Sequence, residues 1–407
     1  MEAERLLIES LAAGIRGRQM TGNGCADEAG WQELFGLARQ HHVVPLVAEA
    51  VYRCANYPEG PTGLVFRREA ARLVMGQTMR SAALESLLRD MESAGFHPLV
   101  MKGAACRGTY PIPDARPSSD EDLLVPEEEF LPCANWLESR GCSRKQPEKA
   151  AETAFELGYT TPEGLYLELH KTPFDPASGA FGACNRFFTD ACLRRERMGE
   201  NGLPVMAPHD HMLFLILHAF KHLIYSGFGI RQVCDILLWA ETFGDRVDWP
   251  RLREECSSVR AHGFAAAVFR IGVDRLGFDP GKAGLPEEVV GEAEVGQALL
   301  ADLLAGGVFG KADSDRLHSS TVTLGAVEAQ HRGERSSLRT TLFPGRERME
   351  GEYPFVKKHP VLLPVAWGCR LWRYGAGMGK RGGNRPTESL RIGRERQELM
   401  RKLDIMD

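Results

Sequence analysis

Residues 98–125, PLVMKGAACRGTYPIPDARPSSDEDLLV, carry the pattern from which the rest of the chain is read. A short apolar segment leads through a glycine turn at Gly103 and a connection with arginines and prolines. A second apolar segment follows, opening with Asp120 and Asp122. In an extended chain, side chains two apart project from the same face. Both aspartates therefore leave one face of a strand, while Leu123 and Val125 anchor the other in a core. Carboxylates held so close repel each other unless a cation lies between them, usually a hard divalent ion with oxygen ligands. The expected ion is Mg2+, with Mn2+ as the alternative, and Mg2+ on a protein points to phosphate chemistry.

A second alternating run, LYLELHK at residues 165–171, sets Tyr166, Glu168 and His170 on one face and Leu165, Leu167 and Leu169 on the other. If this strand lies beside that of Asp120, Glu168 adds a third carboxylate. Three carboxylates can hold two Mg2+ ions, as two-metal phosphoryl transfer requires. The same face would equally suit a solvated, half-exposed sheet, and spacing alone does not choose.

Outward from these strands the organisation is α+β: a small mixed β-sheet core flanked by helices. Residues 1–95 read as an N-terminal helical segment, with helical periodicity at 31–53 and 66–91 and turn chemistry at 56–62 between them. A sheet domain at 96–207 holds strands at 96–101, 119–125, 153–160 and 165–171. A helix begins near Gly103, and another runs from Pro126 to about Ser139 with Glu127, Glu128 and Glu129 in its first turn. A helical domain at 208–345 follows, with helices at 212–223, 229–242, 249–256 and 264–276. The last segment, 346–407, is basic and expected to be partly mobile around glycine-rich 375–384.

Composition narrows the class. A chain of 407 residues has room for two or three domains, and 43% hydrophobic with 26% charged residues is ordinary for a soluble protein. A formal net charge of −5 gives no global attraction to nucleic acid or membrane. The first residues lack the apolar run of a signal peptide, and no stretch reaches the length of a membrane span. Ten cysteines without a C-x-x-C pair suggest reduced thiols and a cytoplasmic protein.

These elements resemble the DNA polymerase β-type nucleotidyltransferase superfamily, and within it a bacterial branch described as uncharacterised nucleotidyltransferases. The likeness rests on Lys102-Gly103, Arg116, the strand from Asp120 to Val125, Glu168-Leu169-His170, His218 with His222, Asp235, and Asp248-Trp249. It covers roughly residues 31–278, with a weaker echo in LFPGRERM at 342–349. Three features depart from the superfamily: Ala104 stands where a serine usually follows the glycine, Glu121 separates the aspartates where an apolar residue is usual, and the connection from Gly103 to Asp120 is long. Glu121 must face away from Asp120 and Asp122 and needs solvent or a basic partner.

The resemblance implies in-line attack on the α-phosphorus of a nucleoside triphosphate, with release of pyrophosphate. Asp120 and Asp122 would bridge two Mg2+ ions, and Glu168 would complete the metal site and help draw the acceptor proton. Lys102 and the Gly103 amide would neutralise the triphosphate, and Arg116 would brace a phosphate or the carboxylates. His218 and His222, four apart on one helical face, use a spacing also found in zinc sites, but no further ligand cluster marks zinc. They read better as a packed pair or a lid over the nucleotide, with Lys221 or Arg231 reaching the phosphates. Arg231 and Asp235 are spaced as an i,i+4 pair. Together with His170, these histidines and Asp235 would surround the site. The acceptor (small molecule, glycan precursor, protein or RNA) and the oligomeric state are not legible. The apolar, aromatic and basic stretch 361–374 could lie on a membrane surface or hold a polyanion, or dock as a terminal helix. The rival function is a non-catalytic nucleotide-binding regulator or scaffold on the same fold.

Overall fold

The two apolar runs flanking the Lys-Gly turn pair with each other. Strand β1 (Leu99–Val100) lies antiparallel to β2 (Glu121–Leu124), with Leu99 opposite Leu124 and Val100 opposite Leu123. The computed structural model describes residues 2–147, 153–199, 201–225, 227–306 and 395–406, with short pieces between 346 and 369. On its other edge β2 runs parallel to β5 (Tyr166–His170), which forms a hairpin with β4 (Glu156–Thr160). The hairpin turns through Gly164 at φ +81°, a left-handed conformation that suits glycine. Short strands β3 (Ser143–Arg144), β6 (Glu196–Met198) and β7 (Leu203–Val205) complete a seven-stranded mixed sheet in the order β3-β4-β5-β2-β1-β7-β6. The α+β expectation holds.

Helices cover the sheet. Ahead of it come α1 (Glu2–Gly14), α2 (Glu28–Gln40), α3 (Val44–Val51) and the 33-residue α4 (Pro61–Ser93). The periodic stretch 31–53 breaks in two because His42 adopts φ +55° between α2 and α3. Asp27 caps α2 by accepting from the Gly30 amide at 2.8 Å. Within the sheet region lie α5 (Lys102–Arg107) and α6 (Glu127–Ser139). Beyond it come α7 (Pro208–Tyr225), α8 (Ile230–Phe243), α9 (Trp249–Ser258), α10 (His262–Ile271) and α11 (Ala293–Gly306). The run expected as one helix at 264–276 instead ends in a π turn, Gly272–Leu276, closed by Gly277 at φ +64°. One continuous set of buried apolar side chains links α1, the sheet, α7–α11 and the C-terminal Leu399, Met400 and Leu403.

The 395–406 piece docks on the body, where buried Arg396 donates to the Leu223 carbonyl. Most of the basic C-terminal segment, including 375–384, lies outside the described residues, as does most of 342–349. Among the described residues no helix is long and apolar enough to cross a membrane.

The long connection from Gly108 to Ser119 is held on two sides. From α4, Thr78 and Ser81 donate to the Asp114 carboxylate at 2.7 and 2.9 Å, and Gln77 Oε1 accepts from the Ser118 amide at 2.8 Å. From α8, Asp235 takes both Arg116 Nε and Nη2, at 3.1 and 2.6 Å, and Tyr110 Oη at 2.8 Å. These contacts fix the approach to β2 and hence the direction of its acids.

Glu121 finds the basic partner its position requires. Its side chain, 1% exposed, meets Arg107 Nη1 at 2.8 Å, and its other oxygen accepts from the Ala104 amide at 3.2 Å. A Cβ at position 103 would lie 2.7 Å from Glu121 Oε2 and 3.2 Å from Ser118 Oγ, so the close approach requires glycine. Arg107→Ala would leave the Glu121 carboxylate buried and unpaired. It is expected to lower the unfolding free energy by about 3–5 kcal/mol in a urea titration. A loss below about 1 kcal/mol would show that this pair does not support the turn.

Candidate active site

Strand register assembles the acids. Asp122 on β2 pairs with Glu168 on β5, and His170 pairs with Glu156 on β4, all on one face of the sheet. The result is a cluster of Asp122, Glu168 and His170 whose donor atoms lie within 4.8 Å of one another. His170 Nε2 is 3.3 Å from Asp122 Oδ1 and 3.8 Å from Glu168 Oε2, while its Nδ1 is 3.7 Å from Glu156 Oε2. The imidazole is buried, and neither ring nitrogen is in hydrogen-bonding geometry with the described residues.

Asp120 stands outside this close cluster, nearer the surface, with its Oδ1 accepting from Ser119 Oγ at 2.8 Å. Lys102 links the two aspartates, its Nζ lying 3.0 Å from Asp122 Oδ2 and 3.5 Å from Asp120 Oδ2. Burial alone would push the Asp122 carboxyl up, but Lys102 and then His170 hold it below the usual carboxylate range. Burial works against the Lys102 ammonium, yet Asp122 and Asp120 keep it charged above its ordinary value. Glu168 behaves differently: burial, then the Asp122 charge, pushes it up to about 7.

Helices α7 and α8 close the other side of a cavity of about 300 Å3, contributing Phe214, His218, Lys221, His222, Arg231 and Gln232. His218 Nε2 is 3.2 Å from His222 Nε2 and 3.5 Å from Lys102 Nζ. Burial and the Lys102 charge hold both histidines down, His222 to about 3, so both rings are neutral. The same two causes lower Lys221. Burial, then Arg116, brings Arg231 down to about 10.

Arg116 lies along the same cavity and forms a buried strut to Asp235, where both side chains are nearly inaccessible. Asp235 is therefore committed to Arg116 and Tyr110, and Arg231 donates instead to the Pro117 carbonyl at 2.5 Å. The Ala104 amide at the start of α5 is filled by Glu121 and Lys102 is engaged with the acids, while Gly103 itself lines the cavity. Lys102, Gly103, Arg116, Lys221 and Arg231 all line the cavity.

Glu156 and Gln232 are among the cavity residues that the sequence reading does not name. Glu156 could have been found by folding the hairpin about Gly164, which sets it across from His170. Gln232 caps α8, accepting from the Gly229 amide at 3.1 Å, and its Nε2 lies 3.4 Å from His218 Nδ1. No local pattern distinguishes it from an ordinary helix residue.

No curated protein and no solved structure matches the chain. A family model described as uncharacterised nucleotidyltransferase matches residues 27–276, from α2 through the sheet to the π turn after α10. That span exceeds half of the 407 residues, and the chain belongs to the uncharacterised nucleotidyltransferase family.

Proposed function

We propose that the protein is a divalent-metal-dependent nucleotidyltransferase that moves a nucleoside monophosphate from a nucleoside triphosphate to a hydroxyl-bearing acceptor. The observation carrying this reading is the cluster of Asp122, Glu168 and His170 in a cavity whose helical side bears Lys221 and Arg231. A buried imidazole without hydrogen-bond partners, beside two carboxylates, fits a cation. When bound, that cation would stabilise charge on the α-phosphate and make the acceptor hydroxyl more acidic.

The chain's own groups divide the remaining work. Lys221 and Arg231 would bind the triphosphate, whose charge favours the protonated form of both. The acceptor oxygen attacks the α-phosphorus, its new O–P bond forming as the α–β bridging bond breaks and pyrophosphate departs. The hydroxyl proton, made more acidic beside the cation, passes to the neighbouring Glu168 carboxylate. Lys102 already brings positive charge to Asp120 and Asp122, so the second Mg2+ of the superfamily pattern would have to displace its ammonium. Ala104 in place of the turn serine favours a second reading, nucleotide binding without transfer.

Incubating the chain with each α-labelled triphosphate, Mg2+ or Mn2+ and cell extract separates the two. Transfer of label with matching pyrophosphate release is expected; saturable binding without pyrophosphate supports the regulator. Asp122→Asn should reduce transfer to background while a circular-dichroism melt still shows a folded protein, and undiminished transfer would remove the metal site from the mechanism. Lys221→Met should raise the triphosphate KM about tenfold, equivalent to about 1.4 kcal/mol, with a smaller change in kcat.

The Glu168 carboxyl also sets a pH dependence. In the metal-free protein it binds its proton more tightly when folded, so its stabilising contribution is present at low pH. That contribution is lost as pH rises from about 4.5 toward about 7. A cation must displace the same proton. Mn2+ binding by calorimetry is therefore expected to be about tenfold weaker at pH 6 than at pH 8. Equal affinity at the two pH values would take Glu168 out of the ion's surroundings.

A further inference from the structure

Building on the transferase reading, we propose that His170 is itself a ligand to the ion, making a carboxylate–carboxylate–imidazole centre that selects Mn2+ or a similar borderline cation over Mg2+. Register and alternation supply the geometry: Glu168 and His170 leave one face of β5 two residues apart, and Asp122 sits directly across from Glu168 on β2. His170 Nε2 points between the two carboxylates, 3.3 Å from one and 3.8 Å from the other.

The Asp122 carboxylate is divided between two neighbours. Its Oδ2 faces Lys102 and its Oδ1 faces His170, so an ion shared with the imidazole would meet the oxygen away from the ammonium. Leaving a buried imidazole without a hydrogen bond is costly, and a cation on Nε2 removes that cost. On the far side of the ring, Glu156 Oε2 lies 3.7 Å from Nδ1. A carboxylate behind a ligating histidine is the usual arrangement for fixing its tautomer and aiming its other nitrogen at a metal. Glu156 is thus a positioning residue, and the hairpin pairing of β4 with β5 is what delivers it.

The donor set also states a preference. Mg2+ favours a near-octahedral shell of oxygens and gives up its waters reluctantly. An imidazole nitrogen beside two carboxylates suits Mn2+, Co2+ or Zn2+ better. The competing role for His170 is a proton-sharing strut between Asp122 and Glu156, which predicts only oxygen around the ion.

Pulsed electron paramagnetic resonance of the full chain with Mn2+ distinguishes these roles without reference to turnover. Modulation from an imidazole nitrogen-14 is expected in the wild type. It should vanish in His170→Gln, with at least about tenfold weaker Mn2+ binding, and persist in His222→Gln. Glu156→Gln should retain the nitrogen signal while weakening Mn2+ roughly tenfold, and Mg2+ should compete at least about tenfold less well than Mn2+. Should His170→Gln fail to fold, the wild-type signal and the Mg2+ competition still decide. Bound Mn2+ without nitrogen coupling, coupling that survives His170→Gln, or equal competition by Mg2+ would overturn the assignment. Those results would leave nucleotidyl transfer standing, because label transfer and its loss in Asp122→Asn test that separately. Absence of any Mn2+ binding would overturn both.

Discussion

A carboxylate with almost no contact with water stays ionised only if positive charge stands beside it, and Asp122 is placed under that constraint. At 4% exposure its two oxygens are met from opposite sides, by Lys102 and by His170. Each partner comes from a different element, the turn before α5 and the strand β5. The sheet must therefore be complete before the charge is tolerable. Across the cavity burial first, and then the Lys102 charge, lowers the proton affinity of His218, His222 and Lys221.

Rigidity for this arrangement comes from outside the sheet. The connection ahead of β2 has no regular structure beyond a short 3-10 turn, Pro113–Ala115. Its shape is imposed by polar groups of α4 and by the Asp235 carboxylate of α8. The buried Arg116–Asp235 pair gains its value from two parallel hydrogen bonds plus that of Tyr110, which satisfy the carboxylate in a place water does not reach. It also couples the helical layer to the strand that carries the acids, so a shift of α8 would be felt at Asp120 and Asp122.

Much of this could be read in the sequence, for physical reasons that differ by element. Alternation over residues 165–171 placed Glu168 and His170 on one face because a side-chain period of two survives any tertiary context. The helices at 212–223 and 229–242 were equally plain from their apolar spacing. Strands β6 and β7, three residues each, are too short to show a period and exist only through their neighbours in the sheet. The fates of Arg116, Arg231 and Asp235 were also hidden. Local spacing offered Arg231 as the partner of Asp235, but a bidentate contact from 119 residues away prevails once both groups are buried. Spacing alone makes Asp120 and Asp122 equals, although Asp120 precedes β2 and lies at the rim while Asp122 sits in the cluster.

The Glu121 carboxylate beneath the turn at Gly103 has a wider meaning. Two departures from the superfamily pattern, an acid between the aspartates and an alanine after the glycine, meet at the amide of Ala104. The protein has set its own anion against this turn, and Arg107 balances it. Reverting either position alone would break a matched set: a serine would find its neighbouring amide already occupied, and an apolar residue at 121 would strand an arginine in the core. The two oddities are one contact, in which the carboxylate of one residue holds the backbone of the other and gives the turn its internal cohesion.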